Sequence, residues 1–253
     1  MSYTNRIQIL DFFRAIAVIA MIFYHFVYDL GDFGYVNLIT VVNGYLKLFA
    51  QSIGVSFLFV SGVSFWVMAS GGINWLKYSK RLAILIAAAI IISLATYRIN
   101  SNTFICFGIL HLLAACSLFS IFIYKLPIIL LIVLGAGIVI LPDLYHTSNY
   151  YSAALFESKF LSWSGLYDGK TGSVDFYAFM PWSAAFIFGL ALSKVFIKPS
   201  RASSLSPLSF KEEKSGLVIS SILWIGRNSL LIYLIHQPLL IGLILGFQKA
   251  TGL

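Results

Sequence analysis

Seven stretches of this chain are long, apolar and nearly uninterrupted, and that property decides most of what it can fold into. They cover about 8–29, 49–70, 80–98, 103–124, 126–142, 176–196 and 227–247. A helix needs about 20 mostly apolar residues to cross the hydrocarbon of a bilayer. The expected fold class is therefore all-α: a polytopic membrane helical bundle of about seven transmembrane helices. The fifth run is short and bracketed by Pro127 and Pro142. Residues 35–48 and 217–226 are apolar enough to lie in the interface or add a crossing, which widens the range to seven to nine. The first run is too long for a signal-peptide core, is broken by Arg14 and has no small-residue cleavage site after it, so it reads as a retained helix.

Composition agrees. Hydrophobic residues make up 60% of the chain and charged residues 10%, against about 25% charged in a soluble domain. No polar block is long enough to build a second core, so residues 1–253 read as a single transmembrane domain. The net charge of +8 is scattered between apolar spans. That pattern suits topology signals and contacts to anionic lipid or phosphate, with no nucleic acid as partner. Cys106 and Cys116 lie ten residues apart in one apolar run. They form neither a disulfide framework nor a zinc-ligand spacing, and read as small packing residues with no metal.

Lysine and arginine set the orientation. With the N-terminus in the cytoplasm, eleven fall inside: Arg6, Lys77, Lys80, Arg81, Lys125, Lys194, Lys198, Arg201, Lys211, Lys214 and Arg227. Five fall outside, namely Lys47, Arg98, Lys159, Lys170 and Lys249, while Arg14 sits within the first helix. The expected location is the plasma membrane of the cell, in several passes. Residues 143–175 become an extracytoplasmic loop rich in Tyr, Ser, Gly and Trp, and 198–216 a cytoplasmic linker. Tyr150, Tyr151, Trp163 and Tyr167 in the outer loop suit an interfacial belt or stacking on a sugar. No internal repeat is evident.

The first run, "FFRAIAVIAMIFYHFVYDL", carries ionisable groups that lipid does not tolerate cheaply: about 2.5–3.5 kcal/mol each at the bilayer centre. Arg14 and His25 are almost three full helical turns apart, on one face and about 16 Å apart along the axis. Asp11 stands at i−3 from Arg14, and Asp29 at i+4 from His25, both within side-chain reach. The stripe thus pairs Asp with Arg near the cytoplasm and His with Asp near the outside, as the lining of a polar shaft would. A carboxylate beside an imidazole fixes its tautomer and strengthens it as a general base. Two internal ion pairs that merely hold helices together are the alternative.

His111, in "CFGILHLLAACSLF", and His236, followed by Gln237 in "GRNSLLIYLIHQPLLIG", fall near mid-membrane. They line a cavity or bond a neighbouring helix, and neither has metal-ligand spacing. At the cytoplasmic side, Arg227, Asn228 and Ser229 open the last helix, whose free N–H groups make an anion site. Lys80 and Arg81 open the third run on the same side. Ordinary positive flanking accounts for the same charges. The run "SFLFVSGVSFW" offers small residues for close helix packing.

"LDFFRAIAVIAMIFYHFVYDL", "GVSFLFVSGVSF", "SKRL", "FGILHLLA", "DFYAFMPWSAAFIFGLAL" and "GRNSLLIYLIHQPLL" occur in this order over nearly the whole chain. Together they resemble the heparan-α-glucosaminide N-acetyltransferase-like family of membrane proteins in its compact prokaryotic form. The first helix also resembles acyltransferase family three, whose Arg and His are separated by ten residues, as Arg14 and His25 are. Arg81 matches the first arginine of that family's second motif, but Ile84 stands where the second is expected. The resemblance implies transfer of an acetyl or other acyl group from cytosolic acetyl-CoA to a sugar amine or hydroxyl outside. On that view His25 is the base and Asp29 orients it. Asp11, Arg14, His111, His236 and Gln237 line the acyl path, and Lys80, Arg81, Arg227, Asn228 and Ser229 hold the CoA phosphates. Expected partners are acyl-CoA, a saccharide or other polar acceptor and the bilayer, with a homo-oligomer left open. A proton-coupled small-molecule transporter, or a non-catalytic membrane module, uses the same residue types.

Overall fold

The computed structural model describes residues 7–147, 159–166, 173, 175–197 and 216–252. Among them are nine α-helices and no strand. The helices are α1 (Gln8–Asp32), α2 (Leu38–Val41), α3 (Gly44–Ala69), α4 (Trp75–Ile99), α5 (Ile109–Ile123), α6 (Ile128–Thr147), α7 (Phe179–Phe196), α8 (Leu217–Arg227) and α9 (Ser229–Thr251), with a 3₁₀ turn at Lys159–Ser164. Each of the seven apolar runs became a helix. Five of these helices, α1, α3, α4, α7 and α9, are long and apolar enough to cross a membrane. The apolar parts of α5 and α6, Ile109–Ile123 and Ile128–Pro142, are shorter.

Boundaries moved where local chemistry was decisive. The 35–48 stretch became the four-residue α2 and the start of α3, and 217–226 became a helix of its own. The fourth run starts at Ile109 rather than near 103, because the Gly108 N–H donates to His111 Nδ1 at 3.2 Å and closes the helix there. Of the outer loop, residues 148–158, 167–172 and 174 lie outside the described residues, as do 198–215 of the inner linker.

Contacts gather into two compact units: residues 1–57 with 204–253, and residues 58–203. In the first, α1 packs on α8, α9 and α2. Val18, Met21 and Ile53 form its buried centre, with Tyr24, Phe49, Ile225, Ile232 and Tyr233 against them. Gly226 of α8 lies on the Asp11 backbone, so close that an added Cβ would meet the Asp11 carbonyl oxygen.

The second unit is centred on α7. Phe186, Ile187 and Leu190 are buried there, as are Leu58, Leu112 and Leu131 from its neighbours. Phe65 sets its ring against Tyr78, Tyr124 and Phe186, with centroids 6.1–6.3 Å apart. Helices α3 and α7 meet backbone to backbone. A Cβ on Gly62 would strike the Phe186 carbonyl, and one on Gly189 the Phe59 carbonyl. The small-residue run therefore serves close packing. Lys194 donates to the carbonyls of Tyr124 (2.9 Å) and Leu126 (2.5 Å), beyond the last turn of α5, and lies 4.9 Å from the centre of the Trp66 ring. A cation at a helix C-terminus satisfies carbonyls that have no intrahelical donor.

Candidate functional site

Helix α1 turns its polar edge inward. Gln8, Asp11, Ala15, Val18 and Asp29 are buried, and His25 is half-buried; Phe13, Ile16, Ile19, Phe23 and Phe26 point out. The buried positions recur every three to four residues, so the ionisable groups ride on the packed face. Bulky apolar side chains cover the opposite face, as lipid requires.

Near the C-terminal end of that face, the structure brings four candidate residues together. The rings of His25 and His236 lie edge to face with centroids 4.8 Å apart. Gln237 Nε2 donates to Asp29 Oδ1 at 2.6 Å. Asp29 is therefore held by a residue 208 positions away rather than by His25, its expected partner. An i, i+4 spacing permits a contact, but the fixed amide of Gln237 supplies a donor already aimed at the carboxylate. His236 Nδ1 lies 2.6 Å from the Tyr233 carbonyl. Three buried acceptor-capable atoms in this cluster, Asp29 Oδ2, His236 Nε2 and Gln237 Oε1, have no hydrogen-bond partner among the described residues. Leaving such atoms unpaired in an apolar interior costs about 1–3 kcal/mol each. Such atoms call for a partner that the described residues do not supply, whether ordered water, an ion or a ligand.

A second cluster lies about 27 Å along the axis, at the other end of α1. Arg14 Nη1 donates to Asp11 Oδ1 at 2.9 Å, and Arg227 Nε lies 3.7 Å from Asp11 Oδ2. Two guanidinium groups thus share one carboxylate. Arg227 remains partly exposed, with 36% of its side chain accessible. The expected helix-start anion site is altered by Asn228. Its N–H donates to the Trp224 carbonyl at 3.0 Å, its side-chain amide donates to the same oxygen at 2.8 Å, and its own carbonyl accepts from the Ile232 N–H at 3.0 Å. Asn228 thus continues the hydrogen-bond ladder from α8 into α9, and its N–H is committed to protein. Ser229 begins α9 and is partly buried.

The remaining candidates belong to the second unit. Lys80 and Arg81 are exposed near the start of α4. His111 has both nitrogens occupied. Nδ1 accepts from the Gly108 N–H, so Nε2 carries the proton and donates to Ser93 Oγ at 3.1 Å, while the Ser93 hydroxyl donates to the Ile105 carbonyl at 2.6 Å. The ring closes the start of α5 and ties it to α4. Sequence reasoning overlooked the Tyr233 carbonyl, although its i, i+3 spacing from His236 was available. It also overlooked the pairing of Gln237 with Asp29, for which no local spacing gives a signal.

The profile of the heparan-alpha-glucosaminide N-acetyltransferase catalytic domain matches residues 6–238. The chain belongs to that family. The match takes in both polar clusters and every candidate residue named above, ending on Pro238 beside Gln237. No curated protein and no solved structure matches the chain. Membership of the heparan-alpha-glucosaminide N-acetyltransferase family, with five helices able to cross a bilayer, makes this a membrane protein of acyltransferase type. Among the described residues no group of His, Cys, Asp and Glu could hold a metal ion.

Proposed function

We propose that the protein is an integral membrane acyltransferase that moves an acetyl group from cytosolic acetyl-CoA to an amine or hydroxyl of a saccharide on the outer side. The observation that carries this reading is the cluster of His25, Asp29, His236 and Gln237, with its three uncommitted buried atoms. Helix packing alone supplies no donor to these atoms among the described residues. An acceptor bringing N–H or O–H groups would supply the missing donors. Asp29 and Gln237 then hold and orient the acceptor, and the histidines lie where its proton must leave.

The donor belongs at the other end of α1. The guanidinium groups of Arg14 and Arg227, gathered at Asp11, suit the phosphates of CoA. The charge bias of the chain puts Ser229 on the cytoplasmic side of the membrane, and Lys80 and Arg81 of the second unit on that side too. His111 serves the second unit by holding the α4–α5 connection.

Purified protein in detergent tests both halves. Acetyl-CoA is expected to raise the melting temperature where unrelated nucleotides do not, and glucosamine or a hydroxyl-bearing glycoside to trigger release of the CoA thiol. Absence of both the shift and the thiol release overturns the proposal. Asp29→Asn should raise the KM for the acceptor about tenfold, the loss of one charge-assisted contact, with the acetyl-CoA shift unchanged. A KM equal to that of the wild type removes Asp29 from acceptor binding.

A further inference from the structure

We infer that His236 Nε2, rather than His25, takes the proton from the acceptor; this rests on the acyltransferase reading above. A backbone carbonyl can only accept, so the 2.6 Å contact between His236 Nδ1 and the Tyr233 oxygen places the ring proton on Nδ1. In the neutral imidazole the lone pair then resides on Nε2. That atom is buried in a residue only 7% exposed, and has no partner among the described residues. A neutral imidazole held in one tautomer, with its basic nitrogen buried and uncommitted, is the form a general base needs.

The main chain enforces the tautomer. Pro238 lies two residues beyond His236 inside α9 and has no N–H, so the Leu234 carbonyl lacks its usual i+4 donor. A carbonyl fixed in a helix cannot rotate away as a carboxylate can. His25 has no comparable lock: no hydrogen bond reaches its ring among the described residues, and its contacts are the rings of His236 and Tyr24. Its edge-on packing makes it a positioning residue for His236. The groups set against the His236 ring are His25 from α1 and Tyr233 from its own helix.

In the transfer step the acceptor nitrogen or oxygen bonds to the acyl carbonyl carbon while its proton passes to His236 Nε2. The thioester C–S bond then breaks, and the CoA thiolate leaves and is protonated from the imidazolium. Nothing else is consumed.

His236→Asn is the decisive variant, because the asparagine amide reproduces the Nδ1–H donor to Tyr233 while removing the basic nitrogen. His236→Gln serves as a second variant should the first fold poorly. Thiol-release assays are expected to give a kcat at least about 100-fold lower, with an unchanged KM for acetyl-CoA and an unchanged melting temperature. His25→Asn should retain more than a tenth of the wild-type kcat. In ¹⁵N-histidine spectra of the wild-type protein, His236 should carry its proton on Nδ1. An Nε2-protonated ring overturns the inference whatever the activity. So does a His236→Asn kcat within tenfold of an active wild type, which leaves the acyltransferase reading standing. A wild type that neither binds acetyl-CoA nor releases thiol instead removes that reading.

Discussion

His111 and His236 look alike in the sequence, each alone in an apolar run, yet the fold uses them in opposite ways. Both nitrogens of His111 are taken by Gly108 and Ser93, whereas His236 keeps one nitrogen uncommitted. His111→Ala should therefore cost about 1–2 kcal/mol of stability, the value of a helix cap and its buried hydrogen bond. The kcat of the folded fraction should stay within twofold; thermal unfolding and a folded-fraction-corrected assay check both. Asp11 stands in a different position, as the shared counter-ion of Arg14 and Arg227. Asp11→Ala removes the carboxylate that both guanidinium groups contact and should destabilise the protein by about 2 kcal/mol, as loss of a charged hydrogen bond does. Asp11→Glu should restore part of that loss, read as a partial recovery of the melting temperature. At this scale the sequence was half legible. The Asp11–Arg14 contact follows from an i, i+3 spacing and forms. Asp29 bonds to Gln237 instead of His25, because a partner 208 residues away competes with a local one and leaves no trace in the spacing.

Among elements, α1 was the most readable. Its polar residues recur at helical spacing, so they had to share a face, and buried Asp11 and Asp29 lie on it. Helix starts and stops were harder to read. Helix α5 begins six residues later than hydropathy alone implies, since a His–Gly cap outweighs the apolar character of 103–108. Helices α8 and α9 were expected to part with free N–H groups between them, but the backbone and amide of Asn228 bridge the gap. Close approach makes Gly226 the sensitive point of this region. Gly226→Ala pushes α8 off the Asp11 backbone, and overpacking of that kind costs about 1–3 kcal/mol. Gly242→Ala in α9 meets nothing within 4 Å. It should be neutral or stabilise by up to about 1 kcal/mol. Parallel melting curves of the two variants test the contrast, and equal behaviour would show that the Gly226 contact is not restrictive.

For the whole molecule, the number and order of apolar helices came through because hydrophobicity is a bulk property of each segment. The division into two units did not, since it depends on which segments meet across long stretches of chain. Orientation is an expectation of the charge bias, and it can be measured. In a background with Cys106 and Cys116 replaced, a cysteine at Gly71 should react only from the cytoplasmic side and one at Asn102 only from outside, using impermeant thiol reagents on sealed vesicles. The reverse pattern inverts the protein, and with it the placement of donor and acceptor. A different constraint arises where α3 crosses α7. At Gly62 and Gly189 each helix presses its main chain into the place where the other's side chain would stand. Neither partner has anything left to trim, so enlarging one cannot be rescued by shrinking the other. Sequence drift at this crossing has no compensated route: both positions stay bare, or the two helices part.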